Sequence, residues 1–178
     1  MQQGLDPSRL VFLDESGVKT NMARRYGRAK KGERLVASIP HGHWKSLTFV
    51  AGLRADRIDA PWVLDGAMDG EAFLTYLRKI LGPTLAEGDM VIMDNLPAHK
   101  VAGVRQTIEA TGAKLLYLPP YSPDLNPIEM MFAKLKALLR KAAERTIDGL
   151  WQRIGTLLDQ FTPHECRNYL TKAGYAPT

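Results

Sequence analysis

The chain carries one cysteine in 178 residues, Cys166, which excludes an internal disulfide and fits a reducing, cytoplasmic setting. Long apolar runs are missing too. No stretch approaches the ~20 residues that span a bilayer, so no membrane partner is expected. The opening residues, M-Q-Q-G-L-D-P-S-R, lack the basic start and apolar stretch of a secretion signal. Internal repeats, low-complexity tracts and linker-like composition are absent, which leaves one domain over residues 1–178. Acidic residues are the minority, 19 against 24 Lys and Arg, for a net charge of +5. That balance suits contact with a polyanion, although many soluble domains share it.

What is present is an ordered series of short elements. Residues 9–14 (R-L-V-F-L-D) form an apolar run ending in an acid and predict a buried strand. Residues 19–34 are polar and rich in Gly, Lys and Arg, as in a loop or exposed hairpin. Residues 35–39 and 47–53 are β-prone and predict antiparallel neighbours of the first strand, with 60–64 as a short edge strand. Residues 69–81 predict a helix capped by Asp69 and stopped by Gly82-Pro83. Residues 90–94 (M-V-I-M-D) predict a second strand ending in an acid, 97–111 a helix closed by Gly112, and 114–118 a further strand. A strong 3.6-residue period starts at Pro127 and runs to about residue 143; helices over 147–161 and 163–173 complete the chain. Strands first, then strand–helix alternation, then helices indicate an α/β fold: a mixed sheet with helices on both faces.

Sheets of this kind place their sites beyond the carboxyl ends of the strands. Asp14 and Asp94 occupy that position in the sequence pattern. A third acid, Glu129, stands in P-P-Y-S-P-D-L-N-P-I-E, where four prolines in nine residues restrict the backbone. There Asn126 suits an N-cap and Pro127 a first helical position, so Asn126 and Glu129 also fit a variant capping box. Three carboxylates converging at one sheet edge would repel one another without cations. Hard oxygen ligands suit Mg²⁺ or Mn²⁺, and two such ions support phosphoryl displacement without a side-chain nucleophile.

The segments F-L-D-E-S-G (12–17), M-D-N-L-P-A-H (93–99) and P-P-Y-S-P-D-L-N-P-I-E (119–129) resemble the mariner superfamily of transposases, nearest its bacterial insertion-sequence branch. The 34 residues between Asp94 and Glu129 match that superfamily's spacing. The resemblance implies a ribonuclease-H-like fold and a catalytic, metal-binding triad of Asp14, Asp94 and Glu129. It also implies two Mg²⁺ ions (Mn²⁺ substituting) and cut-and-paste DNA transposition into TA targets. The implied partners are transposon-end and target DNA and a second copy of the chain on DNA. Helix-turn-helix modules precede the catalytic domain in such relatives and are not in this sequence. A separate helix-turn-helix partner chain is therefore an expectation, as is a bacterial, nucleoid-associated location. Asn95 and His99 also match the pattern and are site-adjacent candidates. Glu15 is expected on the face opposite Asp14 if the strand continues, and Asp124 in the proline-rich turn.

Arg24, Arg25, Arg28, Lys30 and Lys31 lie in a basic segment opposed only by Glu33, and are candidates for contact with DNA phosphates. Lys134, Lys136, Arg140, Lys141 and Arg145 mark the polar side of the helix after Glu129, for which a solvated face and DNA contact are equally open. His41 with His43, and His164 with Cys166, lack two further ligands at zinc spacing and read as structural or surface residues. Other readings remain: a metal-dependent nuclease that does not join ends, and an inactive or domesticated DNA-binding remnant. A phosphoacceptor domain fits poorly, because 79 residues of antiparallel pattern separate Asp14 from Asp94.

Overall fold

The computed structural model describes residues 5–24, 26–120 and 122–176, so Arg25 of the basic segment and Tyr121 of the proline-rich motif lie outside the described residues. Five strands form one sheet: β1 (Leu10–Lys19), β2 (Ser46–Leu53), β3 (Ile58–Asp65), β4 (Met90–Met93) and β5 (Lys114–Tyr117). The spatial order is β3-β2-β1-β4-β5. β1–β2 and β2–β3 pair antiparallel, while β1–β4 and β4–β5 pair parallel, so the sheet is mixed as expected.

Alternation along β1 divides the core. Leu10, Phe12 and Val18 face a cluster completed by three helices, α3 (Ile128–Ala142), α4 (Ile147–Leu158) and α5 (Pro163–Lys172). Val11 and Leu13 face the other cluster, with α1 (Gly70–Tyr76) and α2 (Val104–Glu109). On α3 the apolar stripe buries Ile128, Met131, Phe132, Leu135 and Leu139. Phe132 meets Phe49 edge-to-face at 6.0 Å, and burial of each such ring contributes roughly 1.5–3 kcal/mol.

Three sequence expectations are corrected. Residues 35–39 form no strand; Leu35, Val36 and Ile39 are exposed. β2 takes one edge of β1 along Phe12–Lys19 and β4 takes the other only along Leu10–Leu13, and residues 35–39 pair with neither β1 nor β2. The helix expected over 97–111 is broken: a 3₁₀ turn (Pro97–Lys100) is separated from α2 by Gly103, whose φ of 98° interrupts the helical path. The helix after Asp69 is shorter than expected. Asp69 does cap it, accepting from the Ala72 N–H, but Leu77–Leu81 widens into a π turn closed by Gly82 N–H on Leu77 O.

The ends of the sheet hold different polar groups. At the end where β4 begins, Arg54 is buried between Asp59 and Asp89. Its Nε donates to Asp59 and its Nη2 donates to Asp89 Oδ2 at 2.9 Å and to the Thr84 carbonyl at 3.0 Å. The acids of the three motifs lie at the other end. No helix among the described residues is long and apolar enough to cross a membrane.

Candidate active site

The last parallel pair of β1 and β4 is Leu13 with Met93. Asp14 and Asp94 are the next residue on each strand, and sit where the two strands part. β4 stops there, but β1 runs on to Lys19 beside β2, so Asp14 lies inside a strand and not at its end. Glu129 enters from the first turn of α3. All three line one cleft of about 410 Å³, together with Asn95, Asn126 and the prolines of the 97 and 119–123 turns.

The three acids differ in setting. Asp14 is buried, at 6% exposure, and its carboxyl is pushed up to about 7. Desolvation is the main cause, and the charges of Glu15, Asp94 and Glu129 add to it against the Glu15 backbone hydrogen bond. Asp94 is half-buried. Burial alone would raise its pKa, but contact with His99 and the Leu96 N–H outweigh it and hold the carboxyl below its ordinary value. Glu129 is exposed.

His99 is fully buried in the 3₁₀ turn, its ring 4.7 Å from that of Phe73. Its Nε2 lies 2.8 Å from Glu15 Oε2. Its Nδ1 stands 2.6 Å from Asp94 Oδ1, at ion-pair distance but without the alignment of a directed hydrogen bond. Burial disfavours the imidazolium, yet the two carboxylates raise the ring's pKa to about 10. Glu15 does lie on the face opposite Asp14, as alternation predicts, and there it meets His99.

Asn126 departs from its expected role. The N-cap residue of α3 is Pro127, with no side-chain cap bond, and Asn126 instead donates from Nδ2 to Asp14 Oδ2 at 2.8 Å. A charge-assisted bond to a desolvated carboxylate is stronger than a neutral cap. Asn126 Oδ1 and Asn95 Oδ1 are buried without hydrogen-bond partners beside the cleft. Asn126 and Glu15 are thus the residues that local sequence reasoning undervalues; adjacency to two of the acids is the only signal.

The donor set fits divalent cations. Three carboxylates face one cleft, burial and then the neighbouring negative charges raise Asp14, and two buried amide oxygens lack a donor. Among the described residues no three His, Cys, Asp or Glu side chains are already drawn together tightly enough to hold an ion. Asp14, Asp94 and Glu129 are the residues that would hold it. His41, His43 and His164 are exposed, and Cys166 is buried.

The basic residues sort by environment. Arg24, Arg28, Lys30 and Lys31 are exposed on the strandless stretch after β1. Lys19 and Arg24 line a second cleft of about 610 Å³ with Lys136 and Arg140 of α3. Lys134 pairs with Glu165 at 2.6 Å, and Arg145 donates to the Thr20 and Met22 carbonyls, so these two are engaged within the domain.

Residues 9–150 match the family described as DDE superfamily endonuclease. Among solved structures, the pre-cleavage Mos1 transpososome superposes with a TM-score of 0.77 at 16% identity, covering 94% of this chain and 53% of that one. The mariner Mos1 paired-end complex with Mg gives 0.77 at 18% identity, covering 94% and 52%. The catalytic domain of Mos1 mariner transposase gives 0.69 at 15% identity, covering 94% and 78%. The likeness establishes a shared ribonuclease-H-like fold; this chain spans about half the length of the transposases in the DNA complexes. No match was found among curated proteins.

Proposed function

The chain belongs to the DDE superfamily endonucleases, and from that footing we propose that it is the catalytic domain of a DNA transposase, of the bacterial insertion-sequence branch of the mariner superfamily. The observation that carries the reading is the meeting of Asp14, Asp94 and Glu129, from three separate segments, on one cleft. In this reading the three carboxylates would hold two Mg²⁺ ions, or Mn²⁺ in their place, which would supply charge stabilisation for a phosphoryl displacement. Asp14 and Asp94 orient the site from the sheet, and Glu129 completes it from α3. Asn95 and His99 support the wall beside Asp94. The outcome is strand cleavage by water and joining by a DNA 3′-hydroxyl, in cut-and-paste movement to TA targets.

The DNA partner is read from the exposed Arg24, Arg28, Lys30 and Lys31, with Arg25 in the same run, and from Lys19, Lys136 and Arg140 beside them. Phosphate contacts position a protein without reading sequence, so the chain alone should bind DNA with little sequence preference. A second copy on the DNA and a helix-turn-helix chain in trans belong to the same proposal.

The test is Asp94→Asn in assays of Mg²⁺-dependent cleavage and of strand transfer from pre-cut ends. Both should be lost with the fold intact. Cleavage retained in the variant refutes the assignment, and cleavage without joining in the wild type reduces the function to that of a nuclease.

A further inference from the structure

A continuous line of polar contacts runs behind the acids of the cleft. Asn126 Nδ2 donates to Asp14 Oδ2, and the Glu15 backbone N–H donates to Asp14 Oδ1, each at 2.8 Å. The Glu15 carboxylate meets His99 Nε2 at 2.8 Å, and His99 Nδ1 stands 2.6 Å from Asp94 Oδ1. The line begins three residues before Glu129 and ends at Asp94. It crosses the sheet through the Asp14–Glu15 peptide, from the α3 face to the α1 face.

Its members are built in. Asn126 is 4% exposed and His99 is completely buried. The His99 ring lies against Phe73, and its backbone carbonyl accepts the Tyr117 hydroxyl at 2.8 Å. An asparagine serving only the start of α3 would direct its side chain to the helix's free N–H groups. Here that helix has no side-chain cap, and the amide is directed to an acid 112 residues away. Glu129, by contrast, makes no side-chain hydrogen bond or ion pair among the described residues. Two acids are held and one is free.

We propose that Asn126 and Glu15 are positioning residues for the cation site: Asn126 fixes the orientation of Asp14, and Glu15, acting through His99, fixes Asp94. Resting on the triad reading above, this assigns to the fold itself the work of holding two like-charged carboxylates near each other before any cation arrives. Partners of this kind set the orientation of ligating groups, and their removal costs roughly 10- to 100-fold in metal affinity. Glu129, in the first turn of α3, would be the third ligand.

The experiment is calorimetric titration of the purified chain with Mn²⁺, alongside DNA binding without metal and thermal melting. Glu15→Ala and Asn126→Leu, which keeps the branched shape but removes the donor, should each weaken Mn²⁺ binding about 10- to 100-fold. DNA affinity should not change. Glu15→Gln, which keeps an acceptor oxygen at the same reach, should restore binding to near the wild-type value. Wild-type Mn²⁺ affinity in folded Glu15→Ala and Asn126→Leu overturns the inference, as does failure of Glu15→Gln to rescue. If Asn126→Leu does not fold, the partly exposed Glu15 decides the matter. Asp14→Asn is the control for the underlying reading: unchanged Mn²⁺ binding there would mean the acids form no cation site at all. Loss in Asp14→Asn with no change in the other variants would remove only the positioning role.

Discussion

Buried carboxylates stand at both ends of the same sheet, and the two ends treat them in opposite ways. At the β4 start, Asp59 and Asp89 share Arg54, with Arg9 a further 3.8 Å from Asp89. Asp89 is desolvated, which would raise its pKa, but the Arg54 contacts outweigh this and hold it low. At the other end Asp14 is also buried, has no arginine or lysine partner among the described residues, and rises to about 7. One end is neutralised by the chain itself. The other is left short of positive charge, in the place where the strands separate and a cleft opens. At the β4 start the acids have their counter-charge within the fold, whereas on the proposed function Asp14 leaves room for a cation to arrive.

Substitution at each end should separate these roles. Asp14→Asn removes the unpaired charge: cleavage and strand transfer should be abolished, while the melting temperature in the absence of metal stays level or rises above neutral pH. A large loss of stability in that variant would erase the distinction. Arg54→Met should do the reverse. Stripping the cation from a buried pair costs about 3–5 kcal/mol, or roughly 10 °C in Tm for a domain of this size. A melting temperature within a degree or two of wild type would show that the Arg54 cluster is not structural.

Acid titration sharpens the contrast. Asp14 has a folded pKa above its ordinary value of 3.8, so its contribution to stability is greatest at low pH and is lost as pH rises toward 7. Asp89 has a depressed pKa; its contribution is present above 3.8 and is lost as pH falls through the lowered value. Melting curves without metal should therefore shift in opposite directions for Asp14→Asn and Asp89→Asn between pH 3 and 7, relative to wild type. Because a cation favours the ionised form of Asp14, the Mg²⁺-dependent rise in Tm should grow from pH 6 to 8. A pH-independent metal effect would contradict the burial-raised carboxyl.

The smallest effect concerns the basic stretch after β1. Replacing Arg24, Lys30 and Lys31 with Gln should flatten the dependence of log K for DNA on log salt by about 0.9 for each phosphate no longer neutralised. Stability should not move. An unaltered slope would remove these residues from the DNA surface.

The acids and most of the element order are legible in the sequence, because burial writes itself as alternation and period: 10–13 and 90–93 are apolar runs, and α3 repeats its stripe at 128, 131, 132, 135 and 139. Residues 35–39 mislead because β-propensity alone does not specify a partner, and the neighbour of β1 beyond Leu13 is β2 from Ser46 onward. The break at Gly103 is a backbone choice that an apolar pattern does not report. Asn126 reads as a cap because capping is a local rule, and nothing local signals an acid 112 residues away. The same holds for His99 and Glu15, which are separated by 84 positions.

Those separations have a consequence for the making of the protein. Links that close loops of 84 and 112 residues cost chain entropy that local contacts do not, and they depend on the fold that brings their ends together. On the positioning role proposed above, alignment of Asp14 requires the chain through Asn126 to be docked, and alignment of Asp94 the chain through His99. A nascent or locally melted chain would hold the acids but not their alignment, and the capacity to cut would appear with the completed fold, not with the completed sequence of acids.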